Sequence, residues 1–96
     1  MRMLHRLAEE DLASATRFYK REAGLGIARR FLNEFERAAT LLARLPDIGT
    51  PLSGDRRRFP LLDFPYSVIQ RRDESGLRVL VVLHQSRDPK FGDGRR

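Results

Sequence analysis

The run from Leu77 to Asp88, LRVLVVLHQSRD, limits what this chain can fold into more than any other stretch. Five apolar residues in succession, Val79 to Leu83, three of them β-branched, follow a loop glycine and give way to polar residues, which is the pattern of a central strand. Side chains alternate along a strand, which puts Leu77, Val79, Val81 and Leu83 on one face and Arg78, Leu80, Val82 and His84 on the other. The first face is wholly apolar and the second only in its middle. The strand is therefore expected to pack on one side and to turn polar at its end, and His84, Arg87 and Asp88 make that end the place to look for function.

Such a strand needs partners and a cover, and the preceding residues supply both. Met1 to Leu7 alternates weakly and can form a short first strand. From Leu7 to Gly24, Ala8, Leu12, Ala15 and Tyr19 recur about every four residues, with Glu9, Glu10 and Asp11 in the first turn and Lys20 and Arg21 near the last, the charge order that a helix dipole favours. A second, longer helix starts near Gly26 and ends at Pro46. Its stripe is Ile27, Phe31, Phe35, Ala38, Leu42 and Leu45, widened by Leu32, Ala39 and Leu41, and Arg30 and Glu34 are spaced to pair on its flank. The short link between the helices implies an antiparallel hairpin.

Pro46 to Asp55 is rich in Pro, Gly, Asp and Ser without periodicity and reads as a connection. Three strands follow, Arg57 to Leu62, Tyr66 to Arg72 and Leu77 to His84, the last two joined by a hairpin loop ending at Gly76. Pro60 and Pro65 belong at a strand start, edge or bulge, because each removes a ladder donor. The expected fold class is α+β: a small twisted antiparallel sheet packed on one side by an N-terminal helical hairpin, in the order (β)ααβββ. At 96 residues the chain makes one domain, with residues 90–96 expected to fray.

Several functions are excluded at this stage. The longest apolar run has five residues, against the ~20 of a helical membrane span, and no signal peptide is visible. Absence of cysteine fits a reducing cytoplasm. His5 and His84 have no Cys or further His to complete a metal site, and no glycine-rich phosphate loop is present, so neither metal nor cofactor is expected. The net charge is +6, and it is uneven: residues 1–55 carry nine basic and eight acidic side chains, residues 56–96 ten and five. A basic strand-rich half favours a polyanion or an acidic protein segment as partner.

Taken together, the helical segment AEEDLASATRFYKREAGLGIARRFLNEFERAATLLARLPDIGTPL with its Pro-x-x-Gly exit at Pro46 to Gly49, the strand FPYSVIQR at Phe64 to Arg71, and VLVVLHQSRDP at Val79 to Pro89 resemble the RelE/ParE superfamily of toxins from type II toxin–antitoxin pairs, nearest the ParE-like, plasmid-stabilisation branch. The resemblance implies a cytoplasmic toxin neutralised by a cognate antitoxin whose C-terminal region wraps it. ParE-like members inhibit DNA gyrase, whereas RelE-like members cleave messenger RNA on the ribosome. Relatives often have Tyr or Phe where this chain has Gln70, and Gln cannot stack on a base.

The side chains that could act are few. Arg56, Arg57 and Arg58 form the densest positive run, Arg71 matches a recurrent arginine of the middle strand, and Arg87 can hold a carboxylate or phosphate in a fork that Asp88 orients. These, with His84 and Asp88, are the expected contacts to target or antitoxin. His84 can instead be structural, hydrogen-bonded to Asp88 or a backbone carbonyl, and the arginines can be a solvated face. Under a RelE-like reading, Arg58, Arg71 and Arg87 would neutralise phosphate while His84 or Tyr66 moved protons, which requires them to converge on one sheet face. Gyrase binding, ribosome-dependent cleavage of messenger RNA, and mere antitoxin binding by an inactive protein all remain open.

Overall fold

The computed structural model describes residues 3–74, 76–87 and 94–95. In chain order these form β1 (Met3–Leu4), α1 (Arg6–Ala23), α2 (Leu25–Arg44), β2 (Thr50–Pro51), β3 (Arg56–Pro60), β4 (Tyr66–Asp73) and β5 (Gly76–His84). The fold is α+β as expected, with the helical hairpin packed on one face of the sheet. No helix among the described residues is long and apolar enough to cross a membrane.

His5 starts α1: its Nδ1 accepts the Leu7 amide at 3.1 Å, while its carbonyl accepts the amides of Ala8 and Glu9. Burial, helped by nearby Arg78 and Arg95, holds the His5 pKa below its ordinary 6.5. The fold thus prefers the neutral ring, so the stability His5 contributes is complete above 6.5 and is lost as pH falls through its lower folded value. Thermal midpoints taken near pH 7.5 and near pH 5 should fall more on acidification in the natural protein than in His5→Asn, which keeps a capping acceptor but does not titrate. Equal falls would remove His5 from the acid response.

Gly24 alone joins the two helices, a tighter link than expected, and its φ of +92° is a conformation that favours glycine. The buried stripe of α2 is Ala28, Phe31, Phe35, Ala38, Ala39 and Leu42. Leu32 and Leu45, expected within it, are exposed, Leu32 because it lies about 100° round the helix from Phe31. Glu34 pairs with Arg37 rather than Arg30, through bonds of 2.7 and 2.8 Å, and also accepts the Leu62 amide at 2.7 Å, tying α2 to the residues after β3. The Arg37 bonds hold its carboxyl below the ordinary value. The core joins Ala8 and Ala15 of α1 and the α2 stripe to Val68, Leu77, Val79 and Val82, and alanine at so many helix positions lets the backbones approach the sheet.

The sheet order is β1-β5-β4-β3-β2, antiparallel from β2 to β5, with β1 joining parallel to β5. The middle place therefore belongs to β4. Among the described residues, β5 has a strand on both sides only as far as Val79, where β1 ends. Strict alternation along β5 also fails, because Ile69 faces Val81 while Gln70 faces Val79, leaving Leu80 as an extra, bulged residue. Leu77, Val79 and Val82 consequently face the helices, whereas Leu80, Val81 and Leu83 form a second cluster with Ile69 and Leu52 on the far side. The bulge reverses the phase of everything after it and brings His84, paired with Tyr66, to the helix side.

The turn before β2 depends on Gly49. Its φ is +100°, and a Cβ there would lie 2.8 Å from the Arg58 carbonyl oxygen, a backbone atom that cannot swing aside. Gly49→Ala should cost ~2 kcal/mol and lower the thermal midpoint by ~10 °C, read by circular dichroism. An unchanged midpoint would show that the turn relaxes freely.

Candidate functional site

Two clefts flank the sheet, one at each end of β4. The first, about 350 Å³, lies between α1 and the outer edge of β5 and is lined by Glu10, Asp11, Ser14, Phe18, Tyr66, His84 and Arg87 among others. Its floor is the end of an aromatic chain: Tyr19 stacks obliquely on Phe31 with ring centres 5.1 Å apart, Phe31 meets Tyr66 edge-on at 5.2 Å, and Tyr66 meets His84 edge-on at 5.0 Å. Burial raises the Tyr66 pKa above 10.0 and Arg87 opposes that rise, so the phenol stays protonated at neutral pH.

His84 is held by the turn that follows it. Its Nδ1 accepts the Ser86 amide at 3.0 Å and lies 2.8 Å from the Ser86 hydroxyl, and its carbonyl accepts the Arg87 amide at 2.9 Å. With Nδ1 accepting, the neutral ring carries its proton on Nε2. Its partner is thus Ser86, and Asp88 lies outside the described residues.

Above the same cleft, α1 reaches the edge of β5 beyond β1, which has no partner strand among the described residues. Asp11 Oδ2 accepts the Val82 amide at 3.1 Å, and Arg95 donates to Asp11 Oδ2 at 2.6 Å and to the Leu80 carbonyl at 2.9 Å. An ion pair therefore occupies backbone groups that a neighbouring strand would otherwise satisfy. Arg95 is thus held against the sheet. Nothing in the sequence joins two residues so far apart.

The second cleft, about 450 Å³, lies where the β2–β3 turn folds against β4 and is lined by Asp47, Leu52, Asp55, Arg56, Arg57, Arg71 and Arg72, with Pro46, Pro51, Gly54 and Gln70. Arg56, almost buried, donates to the Ser53 carbonyl at 3.0 Å and hydroxyl at 3.3 Å, and Arg57 donates to the Gly49 carbonyl at 3.1 Å. Arg72 and Asp47 form an exposed pair at 3.6 Å. Gln70 is buried, its amide within reach of the Ile48, Arg57 and Val68 carbonyls, so in this chain it closes the turn from inside.

The expected site residues thus separate into two groups. Tyr66, His84 and Arg87 line one cleft, whereas Arg56, Arg57 and Arg71 line the other. Arg71 is five residues from Tyr66 along β4, ~17 Å at the rise of a strand. Arg58 faces Ile69, on the side of the sheet away from the helices, as does Arg71. The run at Arg56 to Arg58 divides between faces, with Arg57 opposite Gln70 on the helix side. Arg78, not among the expected residues, lies directly across from Arg71. A charge inside an otherwise apolar strand was the available signal for it.

Among solved structures, the chain resembles one described as the chromosomal ParDE TA system from P. aeruginosa, with a TM-score of 0.77, 19% identity, and coverage of 86% of this chain and 92% of that one. At that identity the likeness establishes the fold. No curated protein sequence matches. The family model described as the ParE toxin of type II toxin–antitoxin system, parDE, matches residues 3–89. The match runs from β1 through β5 and past the His84 turn, and on it the chain belongs to the ParE toxin family of type II toxin–antitoxin systems.

Proposed function

We propose that this protein is the toxin of a type II pair, acting in the cytoplasm by binding a target such as DNA gyrase and neutralised by a cognate antitoxin that covers the binding surface. Family membership supports the toxin and antitoxin parts of this reading. The observation that favours binding over cleavage is the separation of the two groups of polar residues. A phosphate beside Tyr66 and His84 would have Arg87 near it, while Arg58 and Arg71 would be on the other face and Arg71 ~17 Å along the strand. Charge stabilisation works only where donors converge on the reacting atoms.

Induction in a host lacking the antitoxin, with plasmid supercoiling and message integrity followed together, tests the reading. Growth arrest with lost supercoiling and intact messages is expected. Cleaved messages that become intact in His84→Ala would establish the ribosome-dependent nuclease instead. Unimpaired growth would leave an inactive antitoxin-binding protein, and arrest with normal supercoiling would remove gyrase as the target.

A further inference from the structure

The outermost strands of the sheet, β1 and β2, are two residues long, and β2 ends in a proline, so neither offers a neighbouring chain much to pair with. The end of β5 is different. Beyond Val79 it has no partner strand among the described residues, and the stretch from Leu80 to Leu83 has no charge, proline or glycine and two β-branched residues. It therefore lacks the lysine or proline that usually keeps a strand edge from pairing with another chain. Protection comes instead from outside the strand. Asp11 accepts the Val82 amide at 3.1 Å, Arg95 donates to the Leu80 carbonyl at 2.9 Å, and the two side chains pair at 2.6 Å. Leu80 and Val82 are 0% and 4% exposed, so the edge is shut as the chain stands.

Backbone groups that point outward recur at every second residue of an edge strand, so the His84 amide points the same way as that of Val82. An antiparallel copy of the strand centred on Val82 matches this set. The two Val82 residues exchange both bonds, and each His84 amide meets the other copy's Leu80 carbonyl. Such a pair is closed by its own two-fold axis and leaves both helical hairpins on one side of a continuous sheet. We infer that the edge from Leu80 to His84 is a pairing site for a second copy of this chain, held shut by the Asp11–Arg95 latch. The site runs along the cleft between α1 and β5, which is the room that an added strand needs. The occupant is a second copy because its strand presents the same groups in matching order and brings no charge between Leu80 and Leu83. Pairing would cover Tyr66, His84 and Arg87, so the latch keeps that cleft available whatever the protein's target is.

The test is sedimentation of the full chain at roughly 10 to 200 µM. The natural protein should remain a monomer throughout, whereas Asp11→Ala/Arg95→Ala should associate at least ~10-fold more tightly and approach the mass of a dimer. Val82→Cys added to this variant should link two copies under mild oxidation, because the chain has no cysteine of its own. Cα atoms directly opposite in a hydrogen-bonded antiparallel pair lie ~5.5 Å apart, within reach of a disulfide. Thr40→Cys, on the exposed outer side of α2, should not link copies. If the double alanine variant fails to fold by circular dichroism, Asp11→Asn/Arg95→Gln, which nearly keeps the size of both side chains, carries the same expectation. A folded variant that stays monomeric overturns the inference, as does a natural protein that dimerises equally. Open-ended association, or linking through Thr40→Cys as readily as through Val82→Cys, puts the contact elsewhere and overturns it too.

Discussion

Phe31→Ala should lower stability by about 3–5 kcal/mol and the thermal midpoint by ~20 °C, the largest effect expected of any single substitution in this protein. Phe31 is 0% exposed and its ring meets those of Tyr19, Phe64 and Tyr66 at 5.1, 5.3 and 5.2 Å. Alanine would lose the transfer energy of the ring, the edge-on contacts, and the filling of a space between helix and sheet that rigid neighbours cannot close. Phe31→Leu keeps most of the volume and should cost roughly 1–2 kcal/mol. Urea unfolding of both variants checks the pair, and a loss below ~1 kcal/mol for alanine would mean that the aromatic chain repacks. Because Tyr66 lies between Phe31 and His84, the alanine variant should also loosen the floor of the first cleft.

Asp11→Ala should cost about 2–3 kcal/mol, more than a surface carboxylate can contribute. The carboxylate accepts the Val82 amide and pairs with Arg95, and the two side chains are only 16% and 10% exposed. Asp11→Asn keeps an acceptor for Val82 while losing the charge, and should cost about half as much. The Asp11→Ala, Arg95→Ala and double variants complete a cycle whose coupling should be at least ~1 kcal/mol. Hydrogen exchange at Val82 should quicken in Asp11→Ala more than at Val68, inside the sheet. Additive losses, with Val82 protection unchanged, would show that the pair does not guard the strand edge.

Periodicity was enough to read both helices and the three long strands, because the helices carry apolar residues every three or four positions and the strands are β-branched and bounded by turns; β2, two residues within the stretch read as a connection, left no such pattern. What periodicity cannot carry is phase after an irregularity. Leu80 is as apolar as its neighbours, so its bulge leaves no trace in composition, yet it decides which face His84 joins. Register was likewise hidden: Arg56, Arg71 and Arg78 belong to three strands and become a row only when the pairing is known. The Arg56 to Arg58 run looked like one patch and is divided by the pleat. Leu32 and Leu45 show the limit of hydrophobicity itself, since the stripe of α2 is narrower than the number of leucines beside it. That His84 and Arg87 share one sheet end was legible, because one ends the last strand and the other follows it; that Tyr66 lines the same cleft depends on the register and the bulge.

The strand order has a consequence for synthesis. β5 is the last strand described, yet it lies between β1 and β4, so neither flank of the sheet can be joined until it has been made. The helical hairpin, built from local contacts, can form early, but Phe31, Phe35 and Leu42 then wait uncovered for Val79 and Val82. A nascent chain stopped before β5 would display that stripe to chaperones and proteases, and only one carrying β5 could complete the fold. Topology thus delays assembly of the sheet until β5 itself has been translated.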